Sequence, residues 1–86
     1  MYEVVLPSPF RRDWEKEAKR NPKLWAKVRK TLRLLSSDIK HPSLRLHKLS
    51  GLEYWSVSID QSYRIKIRIT DKYIFCIKFG THEEIY

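Results

Sequence analysis

One stretch of the sequence, Tyr63-Arg64-Ile65-Lys66-Ile67-Arg68-Ile69, alternates strictly between apolar and cationic side chains. In an extended strand this period of two places Tyr63 and the three isoleucines on one face, and the three cations on the other. β-branched isoleucine at alternate positions suits a half-buried sheet. The stretch therefore predicts a strand whose core face is apolar and whose opposite face presents Arg64, Lys66 and Arg68 in a row, about 7 Å apart.

Turn residues on both sides of this strand predict neighbouring strands. Asp60-Gln61-Ser62 joins it to an apolar stretch from Tyr54 to Ile59, and Thr70-Asp71-Lys72 joins it to another from Tyr73 to Phe79. Short connections of this composition favour antiparallel hairpins. The sequence thus predicts a three-stranded meander, with Cys76 buried in its last strand as a small apolar side chain.

The first half of the chain predicts a short strand and two helices. Tyr2 to Leu6 is apolar, and Ser8-Pro9 and Asn21-Pro22 each combine a capping residue with a proline suited to a first helical turn. Apolar side chains recur at helical spacing after each of these signals. They are Phe10, Trp14 and Ala18 in the first helix, and Leu24, Val28, Leu32 and Leu35 in the second, which Ser36-Ser37-Asp38 ends.

The predicted fold class is α+β. An N-terminal strand is followed by a two-helix antiparallel hairpin, and a three-stranded antiparallel meander completes a curved sheet in one domain spanning residues 1–86. The residues from His41 to Gly51 are predicted to form a loop. Its leucines would anchor it to the core, and Arg45, His47 and Lys48 would point away.

Charge is the most informative feature of the composition. Eighteen Lys and Arg against ten Asp and Glu give a net charge of +8 in 86 residues, which favours a polyanionic partner. A single cysteine excludes an internal disulfide, and no stretch has the pattern of a signal peptide or the length of a membrane span. We therefore expect a cytoplasmic protein that binds no membrane.

The side chains available for chemistry are imidazole, ammonium, guanidinium and phenol. The sequence has no glycine-rich phosphate loop and no Cys/His metal spacing. Cleavage of RNA without a metal needs a base for the ribose 2′-OH, cations for the developing phosphorane charge and an acid for the leaving 5′-oxygen. The candidates are His47, Lys48, Arg64, His82 and Tyr86. Taken alone, a loop histidine is more often an ordinary polar surface residue than a catalytic one.

The second half of the chain contains an ordered set of short motifs: His47-Lys48-Leu49-Ser50-Gly51, Tyr54-Trp55, Ser62-Tyr63-Arg64-Ile65 and the C-terminal Phe79-Gly80-Thr81-His82-Glu83-Glu84-Ile85-Tyr86. This set resembles the RelE superfamily, the toxins of bacterial type II toxin–antitoxin modules, and its YafQ-like branch in particular. Together with the preceding helical hairpin the motifs extend the resemblance over essentially the whole chain. It implies a metal-independent endoribonuclease, without cofactors, that cuts mRNA in the ribosomal A site and is blocked by a cognate antitoxin.

The resemblance also implies roles for individual residues. His82 matches the C-terminal catalytic histidine, expected as general acid, and His47 matches a loop histidine, a candidate base; the two roles could be reversed. Arg64 matches the strand arginine that supports the transition state, and Tyr86 the terminal aromatic that stacks on or orients a base. Lys48 matches a basic loop residue, and we expect it to bind RNA together with Arg45, Lys66 and Arg68.

Two residues depart from the family pattern and keep other functions open. Where YafQ-like toxins carry a further histidine and an aspartate, this chain has Ser58 and Ser62. One alternative is a ParE-like poison of DNA gyrase, against which His47 and His82 argue. The other is an RNA- or ribosome-binding module without catalysis, for which the charge of the strand face would suffice.

Overall fold

The computed structural model describes residues 1–51 and 53–86, which form a mixed sheet with a pair of helices on one face. The five strands lie in the order β1-β5-β4-β3-β2. The elements, in chain order, are β1 (Glu3–Val5), α1 (Ser8–Ala18), α2 (Pro22–Ser37), β2 (His47–Lys48), β3 (Trp55–Ser58), β4 (Tyr63–Ile69), β5 (Tyr73–Thr81) and α3 (His82–Ile85). The predicted α+β class is confirmed.

The strand predicted from the alternating stretch has the predicted bounds and lies in the middle of the sheet. β4 pairs antiparallel with β3 along one edge and with β5 along the other. β1 pairs parallel with the remaining edge of β5. Ile65 and Ile67 are fully buried against the helices, as their period of two requires. Because α1 and α2 cover this core face, the cations of β4 lie on the opposite face, called the outer face below.

The apolar stripes of the two helices fill the core face. Phe10, Trp14 and Ala18 of α1 are buried, and the ring of Trp14 lies 4.9 Å from that of Trp25 on α2. The remaining core side chains come from both layers. They include Leu24, Val28, Leu35, Leu44, Val57, Ile74 and Cys76. Burial raises the pKa of the Cys76 thiol to about 12, and its predicted burial is confirmed.

One of the two predicted helix caps is wrong. Asn21 caps α2, since its side chain accepts a hydrogen bond from the Leu24 N–H at 3.1 Å. Ser8, by contrast, is already helical, and α1 begins after Pro7, whose side chain makes no capping hydrogen bond. The extended backbone of Pro7 turns the chain into the helix one residue earlier than the serine pattern indicated.

The last strand is longer than predicted because it contains a bulge. Lys66 pairs with Lys78 while the next residue, Ile67, pairs with Cys76, so β5 carries Ile77 as an extra residue. Beyond the bulge the strand continues, and Gly80 pairs with Arg64. The prediction that the chain leaves the sheet at Gly80 is therefore wrong; it leaves after Thr81 and forms the single-turn helix α3.

The stretch predicted as a loop between His41 and Gly51 contains regular structure. Pro42–Leu44 forms a 3₁₀ turn, and β2 adds an edge strand to β3. A strand of two residues shows no periodicity, so only its pairing with β3 defines it. The predicted anchoring of this segment holds, because Leu44 and Leu49 are buried. No helix among residues 1–51 and 53–86 is long and apolar enough to cross a membrane.

Candidate functional site

Strand pairing gathers the candidate residues at one end of the outer face. On β2 and β3, His47 lies opposite Ser56, and on β3 and β4, Ser58 lies opposite Arg64. Directly opposed residues point to the same side of a sheet. The imidazole of His47 and the guanidinium of Arg64 therefore share the outer face, although they are 17 positions apart in the sequence.

The short helix α3 lies over the same end of this face. Thr81 and Glu84 form a capping box: the Thr81 N–H donates to Glu84 Oε1 at 2.8 Å, and the Glu84 N–H donates to Thr81 Oγ1 at 3.4 Å. The hydrogen bond from the Thr81 N–H lowers the pKa of the Glu84 carboxyl, so the box is held by a charged group at neutral pH. The His82 N–H also donates to the Ser62 carbonyl at 3.3 Å, which ties the start of the helix to the β3–β4 turn.

Gly80 allows this close packing. A Cβ at position 80 would lie 3.0 Å from Glu84 Cβ and 3.1 Å from Glu84 Oε1. A side chain there would require the Glu84 side chain to shift by a few tenths of an ångström. The glycine of the Gly80-Thr81-His82 motif therefore leaves room for the capping box, and it does not serve a turn with positive φ.

The candidate residues meet around the ring of Tyr86. This ring lies 4.4 Å from the imidazole of His82 and 5.8 Å from that of His47, measured between ring centres, and the Arg64 Cζ is 5.5 Å from its centre. A cavity of about 560 Å³ opens here, lined by Arg45, Leu46, His47, Arg64, His82 and Tyr86. Both imidazoles are exposed to solvent, so a ligand can reach them directly.

Ser56 is a site residue that sequence analysis missed. Its hydroxyl is fully buried beneath the cavity, and it accepts hydrogen bonds from Tyr86 Oη at 3.2 Å and from Arg64 Nη1 at 3.4 Å. One hydroxyl oxygen can accept both. Ser56 therefore holds the phenol and the guanidinium in a fixed relation. No sequence signal separates this serine from one on a solvated strand face.

The other predicted RNA-binding cations lie outside this cavity. Lys66 lies farther along the outer face, 4.5 Å from the centre of the Tyr54 ring. Arg68 is farther still and pairs with Glu53 at 3.9 Å on the exposed surface. Lys48 lies on the opposite side of β2 from His47, because its partner Trp55 belongs to the core face; its ammonium is 5.7 Å from that ring.

The bulge in β5 adds one cation that the sequence did not predict. Lys78 lies opposite Lys66 on the outer face, and its ammonium donates to the Glu84 carbonyl at 3.4 Å. With Arg64, Lys66 and Arg68 it brings the strand cations on this face to four. Among the described residues, no three His, Cys, Asp or Glu side chains come together as metal ligands.

The two serines that depart from the family pattern have structural partners. The Ser58 hydroxyl donates to the Asp60 carbonyl at 2.9 Å, and Ser62 supplies its backbone to α3 and to Asp60. The same turn does contain an aspartate, Asp60, two positions before Ser62. Its Oδ1 accepts the N–H groups of Ser62 and Tyr63, both at 2.8 Å, so this carboxylate is used to shape the turn.

Known structures share this fold, although the sequences have diverged widely. No protein-family model matches the sequence, and comparison with curated proteins gives no match. YafQ from E. coli strain BL21(DE3) superimposes with a TM-score of 0.76 at 17% identity, over 100% of this chain and 99% of that one. A YoeB/ParE toxin from Agrobacterium tumefaciens gives 0.77 at 18% identity, covering 95% and 99%. YoeB in the YoeB–YefM complex from Staphylococcus aureus gives 0.75 at 16%, covering 95% and 98%. The fold implied by the resemblance to RelE-type toxins is confirmed.

Proposed function

We propose that this chain, which has the fold of the YafQ and YoeB toxins, is itself a toxin of a type II toxin–antitoxin system and acts as an endoribonuclease on mRNA. The observation that carries the proposal is the convergence of His47, Arg64, His82 and Tyr86 on one solvent-open cavity. They come from three separate parts of the chain, yet two imidazoles, a guanidinium and an aromatic ring line the same space.

The arrangement supplies each group that cleavage by the ribose 2′-OH requires. One imidazole takes the 2′-OH proton, and the oxygen attacks the adjacent phosphorus. The P–O5′ bond breaks, and the second imidazole gives its proton to the departing O5′. The products are a 2′,3′-cyclic phosphate and a 5′-hydroxyl. His82 is proposed as the acid and His47 as the base.

Arg64 and Tyr86 support this reaction in different ways. The Arg64 guanidinium is held by Ser56, and it can place two N–H donors on the phosphate oxygens as negative charge builds. Tyr86 is 49% exposed, and its ring is proposed to stack on a base of the message. Its hydroxyl points down to Ser56, which leaves the ring rather than the phenol oxygen facing the substrate.

Induced expression in a bacterial host tests this function. We expect growth arrest together with new, codon-phased 5′ ends in cellular mRNA, which would indicate cutting on the ribosome. Arrest with intact mRNA would contradict the ribonuclease function. It would favour a gyrase poison if DNA breaks accumulate, or a ribosome-binding module if translation stops without cleavage.

We further propose that a cognate antitoxin covers the outer face. Related folds were crystallised as DinJ–YafQ and YoeB–YefM complexes. In this chain the outer face combines the cations of β4 and Lys78 with the apolar rings of Tyr73 and Phe75 at its far end. Tyr73 is 41% exposed. Such a face suits an acidic, partly apolar segment that folds as it binds.

The salt dependence of antitoxin binding checks this assignment. Screening weakens attraction between exposed charges, so the dissociation constant measured by calorimetry should rise steadily with NaCl concentration. The increase should be smaller for a Lys66→Gln/Lys78→Gln variant, because two of the interacting charges are removed. Affinity independent of salt would show that the antitoxin binds elsewhere.

A further inference from the structure

The cavity around Tyr86 continues past the residues proposed for catalysis. Arg45 and Arg64 also line a second cavity of about 360 Å³, which extends to Ser58 in β3. Ser58 in turn lines a third cavity of about 540 Å³, which reaches Lys27 and Lys30 on α2. These two cavities share five wall residues, and we treat them together as one depression beside the β3–β4 turn. We call this depression, bounded by Arg64 at one end and by Lys27 and Lys30 at the other, the trench.

The trench is lined by cations at both ends and by hydroxyl groups between them. Arg45 and Arg64 stand where it opens into the cavity around Tyr86, and Lys27 and Lys30 stand on one side of α2, three residues and so nearly one helical turn apart. Ser43, Ser58, Ser62 and Thr31 lie along its walls. The hydroxyls of Thr31, Ser43 and Ser58 already donate to the Lys27 carbonyl, His41 Nδ1 and the Asp60 carbonyl. The cations rather than these hydroxyls would therefore make the contacts to phosphate oxygens.

The one carboxylate in the trench does not repel an anion strongly. Asp60 Oδ1 already accepts the two N–H groups of the turn, and Oδ2 lies 3.8 Å from the ammonium of Lys27. Its charge is therefore partly balanced in place. The described trench residues carry a net positive charge, with four cations against this single anion.

We propose that the trench binds the sugar–phosphate backbone of the RNA that flanks the cleaved bond. This inference rests on the proposed ribonuclease function and extends it by a second subsite. A polyanion whose phosphate is held by Arg64 must continue in both directions, and the trench opens directly from that residue. Single-stranded RNA tracks cationic grooves in this way.

The trench reads the backbone and not the bases. No aromatic ring is found among its wall residues in the described part of the chain, whereas the Tyr86 end has a phenol and two imidazoles. Stacking platforms for bases are therefore confined to one end. Any sequence preference of the enzyme would arise near Tyr86, and the flank in the trench would be bound whatever its sequence.

Affinity for uncleavable RNA tests the trench. The probes are 2′-O-methyl oligouridylates of two and six nucleotides, which lack the attacking hydroxyl, measured by fluorescence anisotropy over a series of NaCl concentrations. The hexamer should bind wild type more tightly than the dimer. In Lys27→Gln/Lys30→Gln this advantage should largely disappear, and the salt slope for the hexamer should fall by about 1.4, since each lost phosphate contact on a single strand contributes about 0.7.

A second double variant provides the matched control. Arg29→Gln/Arg33→Gln removes the same charge from the same helix, but from exposed positions on its other side, outside the trench. It should keep the hexamer advantage and the wild-type slope. The proposal that the trench binds RNA would be overturned if both double variants lost the hexamer advantage equally, or if wild type did not prefer the hexamer. Competition by oligoglutamate would also contradict the proposal if it were weakened by Lys27→Gln/Lys30→Gln as much as RNA binding is. That result would assign the trench to an acidic protein segment.

The outcome is separable from that of the proposed function. The probes cannot be cleaved, so trench binding is measured whether or not the protein is a ribonuclease. If the trench bound the hexamer as expected while mRNA stayed intact in the expression experiment, the ribonuclease function would be overturned and RNA binding in the trench would stand. Thermal unfolding of both double variants confirms that they are folded.

Discussion

His82→Ala is expected to lower the rate of RNA cleavage by a factor of about 10²–10⁴, the contribution usual for a positioned acid or base. The imidazole lies at the start of α3, packed 4.4 Å from the ring of Tyr86 and open to solvent. Alanine is a good helix former, so α3 and its capping box should persist. The measurement is the cleavage rate of an mRNA, with and without ribosomes, together with growth after induction.

The pH dependence of the same variant separates acid from base. A general acid must be protonated, so its loss removes the fall in rate on the alkaline side; a general base must be unprotonated, so its loss removes the fall on the acidic side. We expect His82→Ala to lose the alkaline limb and His47→Ala the acidic limb, and the opposite pattern would exchange the two roles. His41→Ala is the matched control. Its Nδ1 accepts hydrogen bonds from Ser43 within the 3₁₀ turn, outside the cavity around Tyr86, so activity should stay close to wild type.

Local pattern was sufficient to predict the central parts of the fold. β4 alternates over its whole length, so its bounds and its two faces follow from the period alone. The same is true of α2, where the Asn21-Pro22 signal and the stripe from Leu24 to Leu35 agree. In these elements local propensity and tertiary packing favour the same structure.

The errors arise where tertiary pairing decides. β2 is defined only by its hydrogen bonds to β3, and the extension of β5 depends on a bulge at Ile77 that interrupts the alternation. The bulge also explains why Lys78 was missed as an outer-face cation. For α3 a signal was present, because Thr81-His82-Glu83-Glu84 has the spacing of a capping box.

For the candidate site, the sequence indicated four residues that lie together in the structure, and their catalytic roles stay predictions. The motif resemblance named His47, Arg64, His82 and Tyr86, and the structure brings these four together. Ser56 could not be predicted, because its role depends on a side chain 30 positions away folding back over β3. Lys48 was expected to bind RNA from the same loop as His47, but the two side chains lie on opposite faces of β2 because neighbouring strand residues alternate.

Arg64→Ala is expected to lower the cleavage rate by a factor of about 10²–10³, comparable to the loss of one preorganised donor to a developing oxyanion. The side chain stands on the outer face, above Ser56 and beside Tyr86, and contributes nothing to the apolar core. The fold should therefore survive, with a melting temperature close to that of wild type. The cleavage rate at saturating RNA and the thermal unfolding curve together check the prediction.

Two further variants distinguish geometry from charge. Arg64→Lys keeps the cation but loses the planar fork held by Ser56, so we expect it to recover only part of the lost rate. Arg68→Ala removes an equal charge from the same strand at the far end of the outer face, where the guanidinium pairs with Glu53; the loss should be under about tenfold, as for one weak phosphate contact. Full activity in Arg64→Lys would show that Arg64 contributes only its positive charge and that the planar guanidinium is not required. An unfolded Arg64→Ala protein would show instead that its contacts with Ser56 and Tyr86 hold the end of the sheet together.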